Sequence, residues 1–148
     1  MGLKLDSKLV GTIIESEVFI KLSEMGFDVF TPFMMNHKTD CIIKKGNRCI
    51  NIQIKTGIRC YNPKWSEDRW RAEIKRKDRK ARRLNYDKED CDFFIVKCRG
   101  YDAFYIFPYS CCKETNTVQL YPHRDKQVHQ GFDAEPYKNA WELLERAI

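Results

Sequence analysis

Apolar residues recur at Val10, Ile14, Val18, Leu22 and Met25, the spacing that lines one face of an α-helix. Asp6 or Ser7 can cap its start, where a side-chain oxygen accepts an otherwise unpaired N–H, and Gly26 suits its end. The period then changes to two. Phe27 to Pro32 predicts a strand stopped by proline, followed by a loop from Met34 to Lys38. Asp40 to Lys44 and Arg48 to Lys55 predict a hairpin, because Gly46-Asn47 suits a two-residue II′ turn. With that turn Lys45 faces Arg48, and Asp40 falls opposite Gln53.

Side chains alternate along a strand, so Ile50, Ile52 and Ile54 point one way while Asn51, Gln53 and Lys55 point the other. Cross-strand partners share a face. In this register Asp40, Gln53 and Lys55 project together, and a slip of one residue would separate them. A carboxylate, an amide oxygen and an amine at one spot can hold a metal and a water against a phosphate. On the helix, Gly11 and Glu15 lie one turn apart at the border of the apolar stripe. Glycine inside a helix costs about 1 kcal/mol against alanine, so close approach by backbone or ligand is the expected reason for it. Glu15 is then an acid turned partly inward.

Asn62-Pro63 breaks the pattern. Glu67 to Leu84 predicts a basic, weakly amphipathic helix, with a loop as the alternative. Asp92 to Cys98 reads as a buried strand, Gly100 turns it into Ala103 to Phe107, and Pro108 ends that strand. Glu114 to Gly131 is polar and irregular. Pro136 suits the first turn of a last helix with Tyr137, Ala140, Trp141, Leu144 and Ile148 on its apolar side. With neither repeats nor a linker, residues 1–148 are expected to form one domain.

Composition narrows the class. A content of 43% hydrophobic and 32% charged residues is that of a soluble globular chain. No stretch approaches the roughly 18 apolar residues of a membrane span. The N-terminus shows no apolar signal segment, so the cytoplasm is the expected location. The seven cysteines are odd in number and show no CxxC spacing. They read as reduced thiols, mostly core filler. His37, His123 and His129 lack the short paired spacing of a zinc site. The net charge of +6 is unevenly placed. Lys or Arg stands at positions 69, 71, 75, 76, 77, 79, 80, 82 and 83, against only Glu73 and Asp78. Clustered cations suit a polyanionic partner, and Trp65 and Trp70 beside them suit nucleic acid; a solvated surface is the plainer alternative.

The order of these features resembles the PD-(D/E)xK nuclease superfamily, and within it the small endonucleases that read IQ-x-KT at the third strand, among them intron-encoded homing enzymes. The resemblance is carried by Gly11-xxx-Glu15, Phe27 through Phe33, Asp40 after a polar loop, and Ile52-Gln53-Ile54-Lys55-Thr56-Gly57. Asp92-Phe93-Phe94-Ile95-Val96 and Tyr105-Ile106-Phe107-Pro108 extend it, so that it spans about residues 8 to 110. Two positions depart from the superfamily pattern. Thr39 replaces a proline before Asp40, and Gln53 stands where most members carry an acid, which removes one negative charge.

The resemblance implies an α/β fold with a restriction-endonuclease-like core, a mixed β-sheet flanked by helices in the order αβββαβ. It implies hydrolysis of phosphodiester bonds in double-stranded DNA with Mg²⁺ or Mn²⁺. Asp40 would be the central metal ligand, Gln53 and Glu15 would complete the set, and Lys55 would orient water or offset charge on the phosphate. Thr56, Tyr61 (with its neighbour Asn62), Arg69, Arg71, Lys75, Arg76 and Arg79 are the candidate DNA contacts. A homodimer or homotetramer, with the last helix or Phe104 to Tyr109 as its interface, would give one active site per strand. Two other readings stay open: a structure-selective resolvase of Holliday-type junctions, and a DNA-binding domain of the same fold without catalysis.

Overall fold

The computed structural model describes residues 6–34, 37–77, 83–84, 86–112, 115–124 and 132–148. In chain order the elements are α1 (Ser7–Glu24), β1 (Asp28–Phe30), β2 (Cys41–Lys45), β3 (Arg48–Asn62), β4 (Glu67–Glu73), β5 (Arg76–Lys77), β6 (Arg83–Leu84), β7 (Phe93–Cys98), β8 (Phe104–Pro108), α2 (Tyr109–Cys112), β9 (Thr117–Leu120), a 3₁₀ turn (Glu135–Tyr137) and α3 (Glu142–Ala147).

The long strand β3 organises the sheet. Its first part pairs antiparallel with β2, its middle runs parallel to β7, and its last part pairs antiparallel with β4. β1 flanks β2, β8 flanks β7 and β9 flanks β4. The sheet is therefore mixed, and the hairpin at Gly46 forms as expected: Lys45 faces Arg48, and Gly46 takes a φ of +62°. Gly57 has a different cause. A Cβ there would lie 3.3 Å from Cys98 Cα and 3.4 Å from Lys97 O, so any side chain would push β3 and β7 apart by a few tenths of an ångström.

α1 starts at Asp6, whose carboxylate accepts the N–H of Lys8, and ends before Gly26 at a φ of +86°. Val10, Ile14, Val18 and Leu22 are its buried stripe. They pack with Cys41, Ile43, Ile50, Ile52, Ile54, Phe93 and Ile95 on one side of the sheet. Alternate residues of β7 and β8, namely Phe94, Val96, Tyr105 and Phe107, join Trp70, Val118 and Leu120 in a second core on the other side. A strand buried on both faces reads as a continuous apolar run, which is why β7 and β8 were legible. Ile52 is fully buried where these elements meet. Ile52→Ala should cost about 2–5 kcal/mol in urea unfolding; a smaller loss would mean that the α1 side of the sheet repacks freely.

Four expectations are corrected. Among the described residues, Glu67 to Leu84 contains no helix. Residues 67–73 form β4, in which Trp70 and Ala72 face inward, and only the short strands β5 and β6 follow among the described residues. The second helix of the αβββαβ order is thus replaced by strands. The polar stretch after Glu114 contains β9, held against β4 by Val118 and Leu120. The last helix is broken: Asn139 takes a φ of +50° and exchanges hydrogen bonds with the backbone of Phe104, so the helix begins only at Glu142. The first strand keeps only Asp28–Phe30 of the expected Phe27 to Pro32. At Gly11 an added Cβ would meet nothing within 4 Å, so no segment among the described residues explains that glycine.

Candidate active site

Gln53 and Lys55 lie in β3 beside Phe94 and Val96 of β7, on the side of the sheet away from α1. Asp40 comes just before β2, where the chain departs from the expected pairing. Its N–H bonds Ile52 O, the residue already paired with Cys41, so the register with Gln53 does not extend past Cys41. An extra residue of this kind bends a strand and re-aims its side chain, as β-bulges beside active sites do. The Asp40 carboxylate instead accepts the N–H of Ile54 at 2.7 Å, which fastens it across β3 between Gln53 and Lys55 in sequence. The preceding loop is pinned by Thr39, whose hydroxyl donates to Asp90 O at 2.8 Å and whose N–H donates to His37 Nδ1. A proline at position 39 could not make the second bond.

The charges of the site are coupled through Asp40. Burial raises its pKa, while the Ile54 hydrogen bond and the Lys55 ammonium pull it down. Burial and the nearby Asp40 charge raise that of Glu15. Burial lowers that of Lys55, against the attraction of Asp40, Cys91 and Glu73. Desolvation penalises the charged form of each group, so each holds its charge at a cost that an exposed side chain would not carry.

Lys55 Nζ donates to Tyr86 Oη at 2.9 Å and to Lys75 O at 3.3 Å. Gln53 is buried, and its Oε1 has no hydrogen-bond partner among the described residues. A buried amide oxygen left without a donor costs about 1–3 kcal/mol, and it needs a donor or a cation. Among the described residues no three of His, Cys, Asp and Glu gather as a metal group. If a cation binds here, the oxygens that could hold it are the carboxylates of Asp40 and Glu15 and the Gln53 amide oxygen. This is a hard, all-oxygen set of the kind that suits Mg²⁺ or Mn²⁺ and leaves positions for water.

Of the candidate nucleic-acid contacts, Tyr61 and Arg71 are exposed, on β3 and β4. Arg69 donates to Gln119 Oε1 across to β9, which occupies part of its guanidinium. Lys75 is half-buried and lends its carbonyl to Lys55. Thr56 is half-buried on β3 with alternation opposite to that of Lys55. Arg76 lies in β5, and Arg79, like His129, falls outside the described residues. Asn62 and Trp70 turn out to be structural. Asn62 Nδ2 donates to Tyr121 Oη at 2.9 Å, and Trp70 is buried with its Nε1 on Arg99 O. His123 pairs with Glu67. Burial pushes the thiols of Cys41, Cys91 and Cys98 up to about 12, as expected of core residues rather than nucleophiles.

Tyr86 and Glu73 escaped the sequence reading. Tyr86 lies 31 positions from Lys55, in no recognisable motif, and Glu73 was hidden within the basic run.

A mixed sheet backed by α1, with this polar cluster on its central hairpin, defines a restriction-endonuclease-like core. The chain belongs to the PD-(D/E)XK endonuclease family, whose model matches residues 5–144. Among solved structures it is similar to a bacterial homing endonuclease, I-Ssp6803I. The TM-score is 0.78 at 20% identity, covering 97% of this chain and 95% of that one. A weaker similarity is to MepB, with a TM-score of 0.40 at 13% identity over 78% of this chain and 85% of that one, too low to bear on the fold. No curated protein matches this sequence. No helix among the described residues is long and apolar enough to cross a membrane.

Proposed function

We propose that this protein, with residues 1–148 acting as one catalytic domain, is a metal-dependent endonuclease that hydrolyses phosphodiester bonds in double-stranded DNA, in a homing or restriction role. The observation that carries this reading is the buried Gln53 Oε1, without a hydrogen-bond partner among the described residues, on the strand that also carries Lys55 and binds the Asp40 carboxylate through Ile54 N–H. Asp40 and Gln53 each offer an oxygen to the cation, and Glu15 supplies a second carboxylate directly or through water. Mg²⁺ or Mn²⁺ held there would polarise the scissile phosphate and lower the pKa of water. Lys55 orients the attacking water and offsets negative charge that develops on the phosphate. The family and the likeness to a homing endonuclease support the reading.

Supercoiled plasmid and synthetic four-way junctions, each incubated with Mg²⁺, with Mn²⁺ and with EDTA, test it. Linear plasmid made only in the presence of the metals is the expected result. Symmetric nicks in the junction alone would favour a resolvase. A gel shift without cleavage in either metal would leave a DNA-binding domain.

Arg71, Tyr61, Lys75, Arg76 and Arg79 are proposed to face the duplex backbone, with lesser parts for Arg69 and Thr56. Each lost phosphate contact lowers the slope of log K against log salt by about 0.9. Replacing Arg71, Arg76 and Arg79 by glutamine should therefore flatten the salt dependence of binding in filter or anisotropy assays, whereas an unchanged slope would place them away from DNA.

One such site cuts one strand, so a double-strand break calls for a homodimer or homotetramer. The last helix, with only Leu144 buried, and the Phe104 to Tyr109 stretch are candidate interfaces. The outer face of α1, where Leu9, Ile13 and Ile20 are exposed opposite the buried stripe, is the surface proposed for a second copy.

A further inference from the structure

We infer that Tyr86 is a positioning residue for catalysis, holding the Lys55 ammonium in its working orientation; this rests on the nuclease reading above. A lysine side chain carries about 2 kcal/mol of rotamer entropy, so an ammonium at the end of a free four-carbon stem would spend little time in one place. Here it is clamped. Two of its protons are directed at Tyr86 Oη, 2.9 Å away, and at Lys75 O, 3.3 Å away. An ammonium has three protons, so one remains for water or phosphate. Nζ lies 4.9 Å from the Tyr86 ring centre, nearer the hydroxyl than the ring, and the hydroxyl is therefore the operative contact.

The clamp is itself fixed. Tyr86 is only 6% exposed, and its ring meets Phe94 edge-on at 5.4 Å. Its carbonyl accepts the Tyr109 hydroxyl at 3.0 Å, tying it to α2. Phe94 neighbours Gln53 in the parallel pairing of β3 and β7, so the tyrosine and the site share one rigid support. A group whose own rotamer is locked by packing can hold a catalytic side chain to the tolerance that chemistry needs. Of the site residues it is Lys55 that the tyrosine hydroxyl bonds, and its effect on cleavage should pass through that lysine.

Tyr86→Phe keeps the ring and removes the hydroxyl. The single-turnover cleavage rate with Mg²⁺ should fall about 10- to 100-fold, the range for one hydrogen bond to a charged group. The dissociation constant for DNA, measured with Ca²⁺ in place of Mg²⁺, and the Mg²⁺ half-saturation should stay unchanged. In a Lys55→Met background the same substitution should add no further loss. Tyr109→Phe loosens the same segment without touching Lys55 and should leave the rate near that of the parent. An unchanged rate in Tyr86→Phe, equal losses in Tyr86→Phe and Tyr109→Phe, or an undiminished loss in the Lys55→Met background would each overturn the inference. A parent protein that cuts no DNA with either metal would instead refute the nuclease reading, and this inference would fall with it.

Discussion

Lys55→Met should lose most cleavage while the folded protein loses little stability. Methionine keeps the length and apolar stem of lysine but removes the charge. If Lys55 steadies the transition state, the single-turnover rate should drop about 10²–10³-fold, the range for deleting one preorganised electrostatic group. Stability responds to two opposing changes. The ammonium is desolvated, as its lowered pKa records, and deleting it relieves that penalty. Tyr86 Oη and Lys75 O each lose a donor, at about 1 kcal/mol apiece before solvent or repacking compensates. Asp40 also loses the ammonium that favours its charged form, and removing one member of a pair forfeits what replacing the whole pair would gain, so the balance should fall within about 2 kcal/mol of the parent. DNA affinity should change little, because one half-buried cation contributes little to the electrostatic footprint. Cleavage, urea unfolding and anisotropy on the same preparation check this. A variant that loses stability and DNA binding together would make Lys55 a structural residue.

Asp40 admits a sharper test, because it has two separable tasks. Its carboxylate accepts the Ile54 N–H, and in the proposed mechanism it also binds the cation. Asp40→Asn retains an oxygen for Ile54 and loses the negative charge. Asp40→Ala loses both and leaves a partly buried N–H without its partner, which costs about 1–3 kcal/mol. The asparagine variant should therefore unfold near the parent midpoint and the alanine variant earlier. Both should lose calorimetric binding of Mn²⁺, and both should cleave about 10³-fold more slowly or less, since a metal contributes several kcal/mol to phosphoryl chemistry. An asparagine variant that binds Mn²⁺ and cuts like the parent would remove Asp40 from the centre of the site.

The expected and observed structures differ in an instructive way at Asp40. The hairpin register and its turn were readable from Gly46-Asn47 and the flanking alternation. The local bend at Asp40, the bond to Ile54 and the Thr39 bond to Asp90 were not, because they depend on where β2 stops pairing and on a residue far along the chain. The error over residues 67–84 has a different cause. Trp70, Ala72 and Ile74 alternate as a strand does and are buried, but the intervening Arg69, Arg71, Glu73 and Lys75 made charge the louder signal. Such a strand is settled by partners that no local pattern contains, here β3 on one edge and β9 on the other.

By itself the sequence determined α1 and its caps, the turn at Gly46 and the doubly buried β7 and β8, and it put Glu15, Asp40, Gln53 and Lys55 forward as the candidate site. These follow from short-range rules of capping, backbone preference and side-chain period, which act within a few residues. Only the tertiary structure decided that β4 and β9 extend the sheet, that Asn139 interrupts the last helix, and that Tyr86 and Lys75 grip the lysine. Those outcomes depend on strand pairing and on contacts between positions up to 59 residues apart, where burial and hydrogen-bond satisfaction across the whole fold outweigh local preference.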